Sequence, residues 1–254
     1  MKARPRQEQA IWIYGINPAR EALRAGGVEI REMVVARADH RIQKLLELAK
    51  NRGAPIRQET REALSALVGH THHQGVALRV AEYPYTTIES IIERLPGERE
   101  PLAILDSIQD PQNLGAFLRS ACFLGAKGVI IPKDRSAAVT GTVIKVAAGA
   151  TAYLSVVRVT NLVHAIEQLK EAGLWIIALD LHGIQSVYDA DLSVPIALVV
   201  GSEQKGIRPL VRKHCDLLVK IPRYGPLESL NAATAGAVAL SELQRQRAAK
   251  QADS

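Results

Sequence analysis

The chain has 254 residues, room for one large domain or two modest ones, and its 47% hydrophobic and 23% charged content is that of a globular protein rather than a disordered one. No apolar run nears the roughly 20 residues that span a bilayer; the opening MKARPRQEQAIWIYG has no secretory core, and Cys122 and Cys215, read as buried free thiols, make no disulfide framework, so a reducing cytoplasm is expected. The net charge of +6 is unevenly spread, for residues 1–80 hold 14 Lys/Arg against 8 Asp/Glu while residues 81–254 hold 18 of each.

Taken in chain order, residues 1–81 read as a compact α/β unit. A helix opens at Asn17 or Pro18 and runs to Ala25, residues 32–36 form a short strand, and residues 42–51 have helical spacing. A helix near 61–68 and a closing strand over 76–80 complete the unit. Arginine carries the excess charge here, Arg20, Arg24, Arg37 and Arg41 among others. Its planar fork suits phosphate. A basic module beside a neutral one is the pattern of a nucleic-acid grip, or of a solvated charged surface, and charge alone leaves both open. His70, His72 and His73 lack the further Cys or His that would complete a metal site, so they read as a polar turn or an RNA-contacting loop. Residues 82–100, proline-containing and highly charged, read as a linker with one helical stretch.

From residue 101 onward strands and helices alternate. Strands are expected at 102–105, 128–131, 153–157, 174–179, 196–200 and 217–221. Helices are expected at 113–124, 140–150, 161–172, 208–214 and 231–249. This is an α/β pattern, a largely parallel sheet with helices on both faces. Ligands bind such sheets outside the carboxyl ends of the strands, which singles out the loops 106–113, 201–206 and 222–230.

The first loop, in DSIQDPQNLGAFLRSACFLGA (106–126), enters its helix through Asn113, with Arg119 beside the apolar stripe and Gly115 one turn before it. On these residues alone Asn113 is a helix cap, and Arg119 a surface charge, as readily as either is a site group. The second, VVGSEQKGIRP (199–209), spaces Gly201 and Gly206 like a phosphate loop, but Ile207 and Arg208 stand where Lys and Ser/Thr are needed, which argues against a nucleoside triphosphate. An ordinary strand-to-helix turn explains its glycines and leaves Glu203 unexplained. The third, IPRYGPLESLNAATAGAVAL (221–240), delivers Ser229, Leu230 and Asn231 to a small-residue helix suited to a cap and a tight contact, within the chain or between subunits.

The order, spacing and strand–loop–helix setting of these loops resemble the three motifs of the SpoU (TrmH-like) RNA ribose methyltransferases of the SPOUT superfamily. IYGINPAREAL (13–23) and HHQGVAL (72–78) resemble the substrate-binding domain of the branch that acts on guanosine in 23S ribosomal RNA. The resemblance implies an L30e-like RNA-binding domain over 1–81 and a SPOUT-type domain over 101–254. The latter would carry a deep trefoil knot, an exception to the rule against threaded chains, and form a homodimer. It further implies S-adenosylmethionine as methyl donor, no metal, and a ribose 2′-hydroxyl of structured RNA as acceptor. Transfer RNA, a ribosomal adenosine, or a non-catalytic ribosome-assembly role are the alternatives. By the same resemblance Arg119 acts on the 2′-oxygen or the adjacent phosphate, as an electrostatic anchor because arginine stays protonated. Asn113 positions Arg119 or the ribose, Glu203 orients the arginine or the substrate, and Ser229 and Asn231 shape the site. Gly201, Ile221, Leu230, Leu179 and Ser229 hold the donor, while Arg20, Arg24, Arg37 and Arg41 contact RNA. Two departures stand out: Ala232-Ala233 replaces the usual Val-Ser after the motif asparagine, and Arg223 replaces a common Met. Arg223 is a further phosphate contact or a surface residue.

Overall fold

The computed structural model describes residues 11–25, 28–36, 40–95 and 100–252. The chain divides into two compact units, Met1–Pro84 with Val139–Ala152, and Tyr85–Ala138 with Tyr153–Ser254.

In the first unit, strands β1 (Ile11–Tyr14), β2 (Ile30–Val35), β3 (Ile56–Gln58) and β4 (Val76–Val80) form a mixed sheet in the order β1-β4-β2-β3. Helices α1 (Ile16–Ala25), α2 (His40–Asn51) and α3 (Arg61–Val68) accompany it. Ala19, Ala22 and Leu23 give α1 its buried stripe. Thr60 caps α3 by accepting from the Ala63 amide, and Gly69 ends it at φ +73°. Several arginines of this basic region are tied within the unit. Arg57 pairs with Glu32 and Glu59, Arg79 pairs with Glu32, and Arg52 donates to the Leu23 carbonyl. Strand β1 was not expected from the sequence.

Helix α6 (Gly141–Ala147) also belongs to this unit, where a Cβ on Gly141 would lie 2.2 Å from the Trp12 carbonyl oxygen. The sequence reading had kept residues 139–152 within the 101–254 domain. Apolar periodicity reports that a face is buried, not what buries it.

The second unit is built on β5 (Leu102–Asp106), β6 (Gly128–Pro132), β7 (Ser155–Val159), β8 (Trp175–Leu179), β9 (Gln185–Ser186), β10 (Ile196–Gly201) and β11 (Leu217–Lys220). Their order is β7-β6-β5-β10-β8-β11-β9, and every neighbouring pair is parallel. β5 is buried along its whole length, as a strand covered on both faces must be. On one face Leu102, Ile104, Ile130, Ile176 and Val199 pack with α7 (Leu162–Glu171), α8 (Pro209–Lys213) and α4 (Ile88–Ile92). α4, in the segment read as a linker, thus contributes Ile88 and Ile91 to this core. The alternate residues Ala103, Leu105, Leu198 and Val200 are equally buried and face the other way. There α5 (Pro111–Phe123) and α9 (Ala232–Ala252) pack together. A Cβ on Gly236 of α9 would meet the Phe117 ring at 2.2 Å, so the small-residue helix makes its close contact within the chain.

Some boundaries differ from expectation. α5 starts at Pro111 and is capped by Asp110, whose side chain accepts from the Gln112 amide, so Asn113 lies in the first turn and does not cap. β7 begins at Ser155 rather than 153, and the helix expected over 140–150 ends at Ala147, with a separate 3-10 turn over Ala150–Ala152. Cys122 and Cys215 are half-buried rather than buried. Burial raises both thiols above the usual range, Cys215 to about 12 with Asp216 adding to the effect. Among the described residues no helix is long and apolar enough to cross a membrane.

Candidate active site

The carboxyl ends of β5, β10, β8 and β11 lie side by side, at Asp106, Gly201, Leu179 and Lys220. The loop after β10 folds sharply back on itself. Ser202 and Gly206 exchange two backbone hydrogen bonds of 3.1 and 2.8 Å, and a Cβ on Gly201 would sit 2.3 Å from the Gly206 carbonyl carbon. Gly206 adopts φ +61°, which glycine accommodates without strain. This closed turn presents Glu203.

Glu203 Oε1 accepts three hydrogen bonds: from Asn113 Nδ2 at 2.6 Å, Asn231 Nδ2 at 3.3 Å and the Ala232 amide at 3.1 Å. Asn231 Nδ2 also donates to Asn113 Oδ1 at 2.8 Å, while its own Oδ1 accepts from the Ala233 and Thr234 amides and so caps α9. Each of the three motifs therefore supplies one member of a single cluster. A carboxylate at the amino end of a long helix is also favoured by the helix dipole. Glu203 Oε2 makes no hydrogen bond among the described residues and is open to solvent. Ala232 and Ala233, which depart from the family pattern, are buried where the α9 amides meet Glu203 and Asn231.

Arg119 lies six residues beyond Asn113 on α5, exposed and without an ion pair or hydrogen bond among the described residues. Glu203 makes no contact with Arg119 here; its Oε1 is engaged by the two asparagines and the Ala232 amide. Ser229 stands outside the cluster in an exposed stretch with Arg223, Tyr224, Leu227 and Leu230. Leu179, Gly201 and Ile221 are half-buried at the strand ends.

One residue of this rim, Asp106, was missed as a functional candidate. Asp106, fully buried, accepts from the Arg208 amide at 2.8 Å, from Arg208 Nε at 2.6 Å and from Ser107 Oγ at 3.0 Å. An acidic residue ending the apolar run LAILD is the signal that points to it, because a buried carboxylate requires a partner.

In the first unit Arg20 is half-exposed and pairs with Glu21 at 3.2 Å, while Arg24 and Arg41 are exposed on α1 and α2. Arg37 lies outside the described residues. The buried His73 ring accepts from the Gly75 amide at Nδ1 and meets Ser65 Oγ at Nε2. Burial, then the charge of Arg61, hold its pKa below the ordinary histidine value. Gln74 Oε1 accepts from the Ile16 amide at the start of α1. The histidine-containing turn therefore works as a structural joint. Among the described residues no group of three His, Cys, Asp or Glu is placed to hold a metal ion.

Residues 101–241 match the SpoU rRNA methylase family, and residues 12–86 match the RNA 2′-O ribose methyltransferase substrate-binding family. The 23S rRNA (guanosine-2′-O-)-methyltransferase RlmB of Xanthomonas axonopodis is 40% identical over 94% of this chain and 98% of its own. An uncharacterized tRNA/rRNA methyltransferase of Mycolicibacterium vanbaalenii is 41% identical over 92% of this chain and 76% of its own. Among solved structures, the SpoU methyltransferase AviRb of Streptomyces viridochromogenes in complex with AdoMet superposes with a TM-score of 0.80 at 26% identity, covering 94% of this chain and 91% of its own.

Proposed function

This chain belongs to the SpoU rRNA methylase family, and we propose that it transfers a methyl group from S-adenosylmethionine to the 2′-hydroxyl of a guanosine in 23S ribosomal RNA. The nearly full-length likeness to the Xanthomonas enzyme supports the choice of nucleotide. The meeting of Asn113, Glu203 and Asn231 in one hydrogen-bonded cluster carries the assignment of the site.

The rim suits the donor. Gly201 makes room for the Gly206 backbone and so lets the loop fold back at the end of β10, and Leu179, Ile221 and Leu230 supply apolar surface beside it. Bound there, S-adenosylmethionine supplies a methyl group activated by its sulfonium. Arg119, whose guanidinium has no partner among the described residues, anchors the RNA phosphate and stabilises negative charge gathering on the 2′-oxygen. Asn113, Glu203 and Asn231 frame the ribose, with Glu203 Oε2 free to accept from its hydroxyl or from Arg119. Ser229 shapes the donor side. Arg20, Arg24, Arg37 and Arg41 grip the RNA as phosphate contacts.

The same reading includes a homodimer and a trefoil knot formed by the segments after β8 and β11. The tight passage of Gly183 against Val219 and Lys220, where a Cβ would come within 2.5 Å of backbone, supports the knot. So does Gln246 of α9, which accepts from Leu192 N and donates to Ala190 O. Transfer RNA is the second reading, since the mycolicibacterial relative is named for either transfer or ribosomal RNA.

The test is transfer of labelled methyl to purified 23S rRNA, transfer RNA and large-subunit precursor particles, with the product mapped. One labelled guanosine ribose in 23S rRNA supports the proposal. Label confined to transfer RNA moves the assignment to the second reading.

A further inference from the structure

Glu203 sits on a loop whose two ends are fastened to one buried residue. Upstream, Gly201 pairs in register with Asp106 across the β10–β5 ladder. Downstream, Arg208 donates both its amide and its Nε to the two Asp106 carboxylate oxygens. Ser107 Oγ supplies the third donor, from a residue held at φ +65°, a left-handed conformation that serine rarely adopts. The Ser202–Gly206 bonds give the loop its shape. They do not give it an aim, because a closed turn can pivot as a body about its ends. The aim comes from the anchors, and both converge on Asp106.

We propose that Asp106 is a positioning residue for methyl transfer: through Arg208 it holds the 201–206 loop so that Glu203 meets Asn113 and Asn231. This rests on reading that cluster as the methyl-transfer site. Asp106 is fully buried, so it acts on the reaction only through what it holds. An Asp106→Asn side chain keeps the volume but places an amide NH2 against an Arg208 donor, opposing donor to donor at one of the two anchoring bonds. The loop then drifts, and a displacement of about 1 Å at a reacting site costs on the order of 100-fold in rate.

The experiment compares wild type, Asp106→Asn, Arg208→Lys, Arg208→Gln, Glu203→Gln and the Asp106→Asn/Glu203→Gln double variant. The readouts are single-turnover methyl transfer, KM for RNA, thermal unfolding, and hydrogen exchange at the Gly206 and Arg208 amides. Asp106→Asn should lower the transfer rate about 10- to 100-fold with KM for RNA nearly unchanged. It should also speed exchange at the Arg208 amide, which Asp106 holds, and leave the Gly206 amide, bonded to Ser202 within the turn, nearly unchanged. Arg208→Lys, which retains the charge and the backbone bond, should recover most of the rate that Arg208→Gln loses. The double variant should be no slower than Glu203→Gln alone, since one residue acts through the other. Multiplicative losses, or an unchanged rate in Asp106→Asn, overturn the proposal. Should Asp106→Asn fail to fold, the half-exposed Arg208→Gln decides by the same criteria. If Glu203→Gln alone leaves transfer intact, the assignment of the site fails, and unchanged exchange at the Arg208 amide in Asp106→Asn would separately show that there is no clamp.

Discussion

The loops that follow β10 and β11 leave the same edge of one sheet but are held in opposite ways. The β10 loop is closed by its own backbone bonds and engaged at its tip by two asparagines. The β11 loop, residues 222–230, runs exposed from Arg223 onward, with Tyr224 92% and Leu227 78% accessible and no side-chain hydrogen bond among the described residues. Hydrogen bonds need exact geometry and so preorganise a site before anything binds. Exposed apolar side chains gain only when something covers them. The first loop is therefore built for the chemical step and the second for binding.

Substitutions can break or sharpen that contrast. The largest effect is expected at the site's free cation: Arg119→Ala should lower methyl transfer by about 100- to 1000-fold, the scale of losing one charge-stabilising group. Its unfolding midpoint should hold, because no partner is lost. Glu203→Gln should follow at about 10- to 100-fold in turnover, with donor affinity measured by calorimetry nearly unchanged. If donor affinity falls instead, the division of labour between the two loops is wrong. Leu230→Ala should do the reverse, weakening donor binding by about tenfold for the apolar area removed and leaving stability intact. The α5–α9 contact behind both loops has its own test. Gly236→Ala should cost about 1–3 kcal/mol in chemical denaturation, since overpacking against Phe117 outweighs the roughly 1 kcal/mol of helix propensity gained. The smallest effect is expected in the first unit. Arg24→Ala should raise KM for RNA a few-fold and reduce the salt dependence of binding by about one counterion.

The parallel sheet was legible because its central strands β5, β6 and β10 are buried on both faces and read as unbroken apolar runs. Asn113, Glu203 and Asn231 were legible as motif residues, yet their mutual bonds were not, for they lie 90 and 28 residues apart in sequence and meet only through the sheet order. β1 and the two-residue β9 escaped notice because short strands carry too little periodicity to stand out. The arginines of the first unit show the limit of counting charge: Arg52, Arg57 and Arg79 serve its internal bonds.

The sequence by itself determined the alternation of strands and helices, the loops that carry polar side chains, and the family, because those follow from local pattern and motif spacing. Only the tertiary structure decided that Asp106 anchors Arg208, that Glu203 turns to the asparagines rather than to Arg119, and that Gly236 lies on Phe117. Those facts depend on which surfaces meet, and surfaces meet through the packing of distant segments, which no local pattern encodes.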